Sequence, residues 1–584
     1  MKNLLSGNEA AARGAYEAGV KFCSAYPGTP STEIFENLVQ YKDSLYCEWA
    51  PNEKVAVESA YGASIAGASS LAAMKHVGMN VAADPMFTAA YMGTGGAMVI
   101  VTADDPSMHS SQNEQDNRNY ARAAKIPMVE PSDSQECKDF MIEAFRISAR
   151  FGVPVIFRTT TRVCHSKSLV QFGERMESSV AEYHRNASKF VCTPANAHRN
   201  HPILEKKLSE IEQYSNASEL NREEIYSTKV GIVTSSIAYE YSREVFGEDA
   251  SYLKIGLSFP LPMEKIRSFA SKVDRVIVIE ELEPFIEDQM KAAGIKCEGK
   301  NMIGNLYELN PELVSERVLG RKASFVTSDV TAVGRPPALC PGCPHRGFFY
   351  VLSKKSDYVI CGDIGCYTLG SAPPLGAMDS CVCMGGGLSV AHGMAKVFEM
   401  TAQTGKKVFG VVGDSTFFHS GMTGAVEILY NKSSVIPCIL DNRITGMTGH
   451  QDNPGTGFDL EGNPSPMIDI AKVLQAYGYE NVIEVDPQDL KAMSKAVDDA
   501  LSSKVPAAII CKRPCLLIKR IKHEKGMCIV NAGKCRTCRS CLKVGCPAIA
   551  IVDGKAKIDS SLCTGCTVCA QVCPFGAIEK EASR

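Results

Sequence analysis

Val408-Phe409-Gly410-Val411-Val412-Gly413-Asp414-Ser415 is an apolar, β-branched run that stops at a glycine and an acid. Such a run, bounded by turn residues, reads as a buried strand. A glycine-rich helical segment extends from it to about Asn431, and a second apolar run, Val435 to Leu440, ends in Asp441-Asn442. Strand, helix and strand in that order predict a parallel βαβ unit and an open α/β sheet. Ligands of such sheets bind at the carboxyl ends of the strands. Asp414 and Asn442, 28 positions apart, therefore project at one edge. Mg²⁺ wants an octahedron of hard oxygens and commonly shares it between one or two protein groups and a substrate's phosphates. The Asp414 carboxylate, the Asn442 amide oxygen and a nearby main-chain oxygen, that of Ile444, satisfy that demand. An ordinary strand-end turn is the plain alternative for the pair taken alone.

The same alternation extends on both sides. Strands near Val359 and at Ala507 to Cys511 complete an α/β domain over residues 335–522, entered through Arg335-Pro336-Pro337. Residues 1–195 form a second such domain. Glu9 to Ala18 suits a helix and Lys21 to Tyr26 a short strand. Met98 to Thr102 and Pro154 to Arg158 are buried strands. Ala56 to Ala73, Ala-rich and interrupted by glycines, reads as a helix packed closely on its neighbours. Residues 196–228 are polar and helix-prone, a connector. Lys229 to Thr234 and Arg275 to Glu280 define a smaller α/β domain over 229–334. The basic stretch Lys519 to Lys525 reads as a linker or as the end of a solvated helix, and a tail over 523–584 follows it.

The chain has 584 residues, a length that suggests about four domains. Apolar residues are 45% and charged residues 22%, ordinary for a globular protein. With 62 Lys and Arg against 65 Asp and Glu the net charge is −3, so no basic surface points to nucleic acid or an anionic membrane. The most apolar stretch, Val81 to Val101, is broken by Asp84 and Pro85, which excludes a membrane span. The N-terminus acquires Asn8, Glu9 and Arg13 before an apolar core can form, so no secretory signal is read there. A cytoplasmic, reducing compartment is expected. Cysteine is the outlier at 24 residues. In a large chain of that kind the thiols point to metal rather than to disulfides.

Eight of the 24 stand between Cys535 and Cys573. They form Cys535-x2-Cys538-x2-Cys541-x4-Cys546-Pro547 and Cys563-x2-Cys566-x2-Cys569-x3-Cys573-Pro574. Three cysteines on a tight loop can ligate three corners of a cubane cluster, and the fourth ligand must come from elsewhere. Structural zinc, the alternative, prefers paired Cys-x2-Cys hooks. The tail resembles the bacterial two-[4Fe–4S] ferredoxins along its whole length. In these the trailing cysteine of each motif ligates the other cluster. The resemblance assigns Cys535, Cys538, Cys541 and Cys573 to one cluster and Cys563, Cys566, Cys569 and Cys546 to the other. The extra residue before Cys546 lengthens that loop relative to the usual pattern.

Further stretches extend the resemblance. Gly413-Asp414-Ser415 with Asn442 is similar to the Gly-Asp-Gly…Asn signature of thiamine-diphosphate enzymes, with Ser415 departing from glycine. Asp441-Asn442-Arg443-Ile444-Thr445-Gly446-Met447-Thr448-Gly449-His450-Gln451 looks like the diphosphate loop of the 2-oxoacid:ferredoxin oxidoreductases. Tyr26-Pro27-Gly28-Thr29-Pro30-Ser31 resembles that family's substrate and cofactor loop, with Thr29 at the matching threonine. Glu48-Trp49-Ala50-Pro51-Asn52-Glu53 resembles the segment carrying the cofactor-activating glutamate, with Glu53 in its place. A solvated carboxylate at a helix start is the alternative for Glu53 alone. A Cys-x2-Cys hook, a Gly-Cys and a later Pro-Cys hold a third cluster near the thiamine in that family. Cys340, Cys343, Cys366 and Cys515 match. The other 12 cysteines are expected to pack as small apolar residues, among them Cys361, Cys381, Cys383, Cys438 and Cys511.

The order of parts resembles the large (alpha) subunit of the family's indolepyruvate-acting branch over nearly the full chain. The implied fold is two doubly wound thiamine-binding domains, a smaller transketolase-C-terminal-like α/β domain and a two-[4Fe–4S] ferredoxin domain. The implied reaction is oxidative decarboxylation of an aryl pyruvate with coenzyme A, giving an arylacetyl-CoA, CO₂ and two electrons for ferredoxin. A related enzyme for an arylglyoxylate or a branched-chain oxoacid is the alternative. Implied cofactors are thiamine diphosphate, Mg²⁺ on Asp414 and Asn442, two tail clusters and a third near the thiamine, and the implied partner is a smaller beta subunit. Gly413, Ser415, Ile444, Thr448 and Gly449 would contact the cofactor. Glu53 would hydrogen-bond its aminopyrimidine ring, while Lys75 and His76, within Met74-Lys75-His76-Val77-Gly78, would meet the substrate carboxylate. A helix-end cation pair is the ordinary reading of those two.

Overall fold

The computed structural model describes residues 2–177, 180, 182–322, 330–331, 333–334, 336–401, 403, 405–522 and 526–581. Arg335 of the expected domain boundary and residues 523–525 of the expected linker lie outside this set. The chain divides into two compact units, residues 1–329 and 330–584.

The first unit is built on a seven-stranded sheet. Its order is Leu257–Phe259, Met128–Val129, Val155–Thr160, Met98–Asp104, Ser70–Lys75, Phe22–Ala25 and Tyr46–Trp49. Neighbours run parallel except Leu257–Phe259, which is antiparallel to Met128–Val129. Every residue of Ser70–Lys75 and of Met98–Asp104 is buried, as helices on both faces of a parallel sheet demand. A second, four-stranded sheet follows, ordered Arg275–Ile279, Val230–Ser235, Ser251–Ile255 and Arg222–Glu224. Leu257–Phe259 lies between two of this sheet's strands in sequence yet joins the larger sheet, so the two parts share an element.

The stretch Ala56 to Ala73 corrects the sequence reading. It is the end of a helix, Glu53–Ile65, and the start of a strand, Ser70–Lys75. Gly67, at φ +94°, turns the chain between them. Small side chains suit a central strand under close helices as well as they suit a packed helix, and periodicity does not separate the two in a fully buried segment. Residues 196–228 contain nearly all of a long helix, Pro194–Ala217, and the edge strand Arg222–Glu224.

The second unit carries a six-stranded, all-parallel sheet, ordered Ser380–Cys381, Tyr358–Gly362, Lys407–Gly413, Ile436–Asp441, Ala507–Lys512 and Asn481–Val485. The segment after Gly413 is helical to Tyr430, with a wide turn at Phe417–Gly421. Lys519 to Lys522 form no helix, and Arg520 pairs with Asp452 at 2.5 Å. The tail is two antiparallel strand pairs, Met527–Val530 with Ile578–Glu581 and Ile549–Val552 with Lys555–Ile558. It is not a separate body. Phe348, Phe349, Leu440 and Ile509 of the sheet domain share one buried core with Cys528, Val544, Val568 and Ile578 of the tail. Among the described residues no helix is long and apolar enough to cross a membrane.

Candidate functional site

In the first unit, four residues singled out in the sequence, Thr29, Glu53, Lys75 and His76, stand at the carboxyl ends of neighbouring strands of the large sheet. Lys75 ends its strand and is 9% exposed. Its ammonium donates to the Ser110 carbonyl at 2.6 Å, and the Ser110 hydroxyl donates to the Thr29 carbonyl at 3.4 Å. The loop bearing Thr29 comes this close because Gly28 has no side chain. A Cβ there would stand 2.9 Å from that of Lys75. Burial lowers the Lys75 ammonium to about 8, against the pull of Asp105. Asp105 accepts from the Ser110 N–H at 2.9 Å and from the hydroxyls of Ser111 and Thr161 at 2.5 and 2.7 Å.

His76 opens the next helix and is fully buried. Its Nε2 lies 3.1 Å from Asn113 Oδ1, and its Nδ1 has no partner among the described residues. Glu53 is the first residue of its helix, which the Asn52 side chain caps through Val55 N–H at 2.9 Å. The solvated alternative fails for Glu53, which is 4% exposed and packed against Gly78.

Sequence reasoning missed what stands behind this edge. Arg158 bonds Asp104 at 2.8 Å and Glu130 at 2.6 Å, and Arg118 bonds Asp116 and Glu280, both at 2.6 Å. All six are essentially inaccessible. Removing one member of such a buried pair leaves an unpaired charge, at a cost of about 3–5 kcal/mol. Arg118 and Glu280 are 162 positions apart, so nothing local signals the pairing.

In the second unit, Gly413 pairs with Leu440 in the sheet, which sets Asp414 beside Asp441 at the carboxyl edge. Asp414 is 3% exposed, and its hydrogen-bonding side-chain partner is the Asn453 amide at 3.2 Å. Burial, then the neighbouring Asp441, hold its carboxyl well above the usual range. Asp441 has Arg443 at 3.2 Å, whereas no Lys or Arg pairs with Asp414 among the described residues. A buried carboxylate without a cation, next to a second acid, fits a divalent cation bound there. Asn442 fits as well: its Oδ1 accepts from Ile444 N–H at 3.2 Å, and its Nδ2 faces His345 Nε2 at 3.3 Å. Burial pushes His345 down to about 4, so the imidazole is neutral and Nε2 can accept. Ser415 accepts from Thr445 at 2.9 Å, and Thr448 donates to Gln451 at 2.5 Å. Gly449 adopts φ +125°, a backbone form that favours glycine. The Gly413 N–H donates to Tyr367 Oη at 2.9 Å, and that hydroxyl donates to buried Asp363. Tyr367, Asp363 and His345 were not singled out, because their partners are fixed only by the fold.

The thiols gather in three groups. Cys541 lies near Cys538, Cys573 and Cys535, and these four line one cavity of about 20 Å³. Cys566 is in the field of Cys546 and Cys563, and Cys569 in that of Cys566 and Cys546. Cys366 is in the field of Cys515 and Cys340, and Cys343 in that of Cys340 and Cys366. Burial raises Cys366 to about 11 and Cys343 to about 12. Thiols gathered in this way suit iron–sulfur centres, whose iron stabilises thiolate. Among the described residues no three His, Cys, Asp or Glu side chains close on a point that would hold a single metal ion.

Four of the expected packing thiols depart from that reading, among them Cys192, which is exposed. Cys381, in the edge strand Ser380–Cys381, and Cys383, just beyond it, are exposed as well. Cys528 is buried but lies against the second tail group. Its N–H donates to Cys563 Sγ at 3.3 Å, and its thiol is lowered, chiefly by a hydrogen bond with Cys569.

Residues 13–234 match the family described as pyruvate flavodoxin/ferredoxin oxidoreductase, thiamine-diphosphate-binding. Residues 363–511 match the C-terminal thiamine-pyrophosphate-binding domain of thiamine-pyrophosphate enzymes, and 556–579 a 4Fe-4S binding domain. The indolepyruvate oxidoreductase subunit IorA of Archaeoglobus fulgidus is 41% identical, over 100% of this chain and 98% of its own. That of Pyrococcus horikoshii is 38% identical, over 99% and 97%. The 2-oxoglutarate synthase subunit KorA of Methanothermobacter thermautotrophicus is 25% identical over 50% of this chain and 91% of its own. Two thiamine-binding domains and an iron–sulfur domain on one chain define the class, an oxidoreductase of the 2-oxoacid:ferredoxin type. Its chemistry is oxidative decarboxylation of a 2-oxoacid, with the electrons leaving through iron–sulfur centres. Within that class the chain belongs to the family of the indolepyruvate oxidoreductase subunit IorA.

Proposed function

We propose that the substrate is an aryl pyruvate, indolepyruvate foremost, and that coenzyme A accepts the acyl group. The 2-oxoacid and the thiol give an arylacetyl-CoA, CO₂, a proton and two electrons, and two ferredoxins take one electron each. Thiamine diphosphate supplies the electron sink for decarboxylation, and the iron–sulfur centres accept electrons singly. Asp414, Asn442 and the Ile444 carbonyl would hold Mg²⁺, with Gly413, Ser415, Thr448 and Gly449 around the diphosphate. Glu53 would hold the aminopyrimidine in its reactive form. Thr29, Lys75 and His76 would orient the substrate, with the Lys75 ammonium on its carboxylate. Cys340, Cys343, Cys366 and Cys515 would carry the centre nearest the thiamine. The eight tail cysteines would carry two more, divided as the ferredoxin resemblance assigns them. The five-part division at residues 195, 228, 334 and 522 belongs to the same reading, as do a cytoplasmic location and a smaller beta subunit, in keeping with relatives named as subunits.

One observation carries this reading. The segments that bear Cys366 and Cys515 are hydrogen-bonded to the loops that would bear the metal oxygens. Cys515 N–H donates to the Asn442 carbonyl at 2.9 Å, and Tyr367, next to Cys366, holds Gly413 N–H. A redox centre on those four sulfurs would therefore adjoin the diphosphate site. The test is anaerobic iron and sulfide analysis, followed by optical titration with 2-oxoacids, the companion subunit and coenzyme A being present. The expected content is roughly twelve irons per chain, four for each of three centres, with bleaching on addition of indolepyruvate. Roughly eight irons would remove the proximal centre. A preference for pyruvate, phenylglyoxylate or a branched-chain oxoacid would move the substrate.

A further inference from the structure

Arg346, in the helix His345–Leu352, is 2% exposed. Its guanidinium holds two cysteine loops at once. Nη2 donates to the carbonyls of Leu339 at 2.6 Å and Cys340 at 2.9 Å, at the entrance to Cys340-x2-Cys343. Nη1 donates to the carbonyls of Val544 at 2.8 Å and Gly545, at the entrance to Cys546. Its Nε is buried without a partner, and no carboxylate pairs with it among the described residues.

A buried guanidinium without an anion is strongly disfavoured, since carbonyl dipoles solvate the charge but do not cancel it. The Arg346 charge acts on the Cys343 thiol. The Cys340-x2-Cys343 loop is also packed against the tail independently of Arg346, through the stretch that carries Cys563 and Cys566. Gly342, at φ +70°, leaves room for Thr564, whose Oγ1 would stand 2.1 Å from a Cβ there. Gln488 donates to the Gly342 carbonyl at 2.7 Å and accepts from Gln571 at 2.8 Å. A [4Fe–4S] centre ligated by four thiolates is a net anion and gains another negative charge on reduction. Net charge and hydrogen bonding set its potential.

We propose that Arg346 is the fixed counter-charge between the proximal centre on Cys340, Cys343, Cys366 and Cys515 and the tail centre that uses Cys546, raising their reduction potentials while setting their spacing. This rests on the ligand assignment proposed above. Arg346 is a positioning residue whose hydrogen bonds, among the described residues, all go to main-chain carbonyls.

The experiment is an anaerobic redox titration, followed by electron paramagnetic resonance, on the full-length chain purified with its companion subunit. In Arg346→Gln we expect wild-type iron and a tenfold loss in the one-electron reduction equilibrium of at least one of the two centres, a fall of about 59 mV. Arg346→Lys, which keeps the charge, is expected to keep the wild-type potentials. Potentials unchanged in Arg346→Gln with full iron overturn the proposal. If Arg346→Gln fails to assemble, Arg346→Lys decides: wild-type potentials support the charge role, and lowered ones overturn it. Cys515→Ala reads the ligand assignment separately. Loss of about four irons supports that assignment, and unchanged iron sinks the assignment together with the proposal built on it.

Discussion

Glu53 and Lys75 show what burial does to an ordinary charged side chain. Glu53 starts a helix, a position where carboxylates usually face water and the helix dipole, yet here it is 4% exposed. Replacing it with Gln keeps the shape and removes the carboxylate. Turnover is expected to fall by roughly 100-fold or more, the usual scale for a lost proton-handling group, with thiamine diphosphate still retained in the acid extract. Near wild-type turnover would refute the role. Lys75 titrates near 8 because burial disfavours its charged form. The ammonium is therefore present below that pH and lost above it. KM for the 2-oxoacid is expected to rise as pH climbs through about 8, and the step should vanish in Lys75→Met. A KM that stays flat from about pH 7 to 9, across this lowered value, would show that Lys75 does not hold the carboxylate.

The helix His76–Met92 matters because of one missing side chain. A Cβ on Gly78 would stand 2.7 Å from both Cγ and Oε1 of Glu53. Alanine is the better helix former by about 1 kcal/mol, so Gly78→Ala should leave the helix at least as stable. It should nonetheless displace the carboxylate, and misplacement by about 1 Å can cost 100-fold in rate. We expect kcat to drop by at least about tenfold with the melting temperature held. Unchanged kcat would mean that Glu53 has room to move. The same scale explains the misread segment Ala56 to Ala73. Its small residues record how closely helix and strand pack, not which of the two they form.

The tail sets the behaviour of the whole second unit. Its cysteine motifs look like a detachable ferredoxin, but its apolar residues belong to the core around Phe348 and Phe349. Ending the chain at Lys522 would open that core. Each large buried side chain left without its neighbours costs about 2–5 kcal/mol, and a domain's net stability is only about 5–15 kcal/mol. The shortened chain is expected to lose cooperative thermal unfolding and to be cleaved early in limited proteolysis. A soluble 1–522 fragment with a sharp melting transition would show that the tail folds apart from its neighbour.

Much of this architecture was readable in residue order. Ligand spacing such as Cys-x2-Cys-x2-Cys is local, because a short loop brings its own sulfurs together whatever surrounds it. Strand ends such as Gly413-Asp414 and Asp441-Asn442 are local too, and parallel pairing carries them to one edge. Arg118 with Glu280, Tyr367 with Gly413, Cys528 with Cys563 and Arg346 between two cysteine loops were not readable. Each joins residues that only chain folding makes neighbours, and each is held by burial, which turns an ordinary polar side chain into a costly one unless the right partner faces it. Local geometry names the groups able to bind metal and cofactor. Packing selects the charges and hydrogen bonds that tune them.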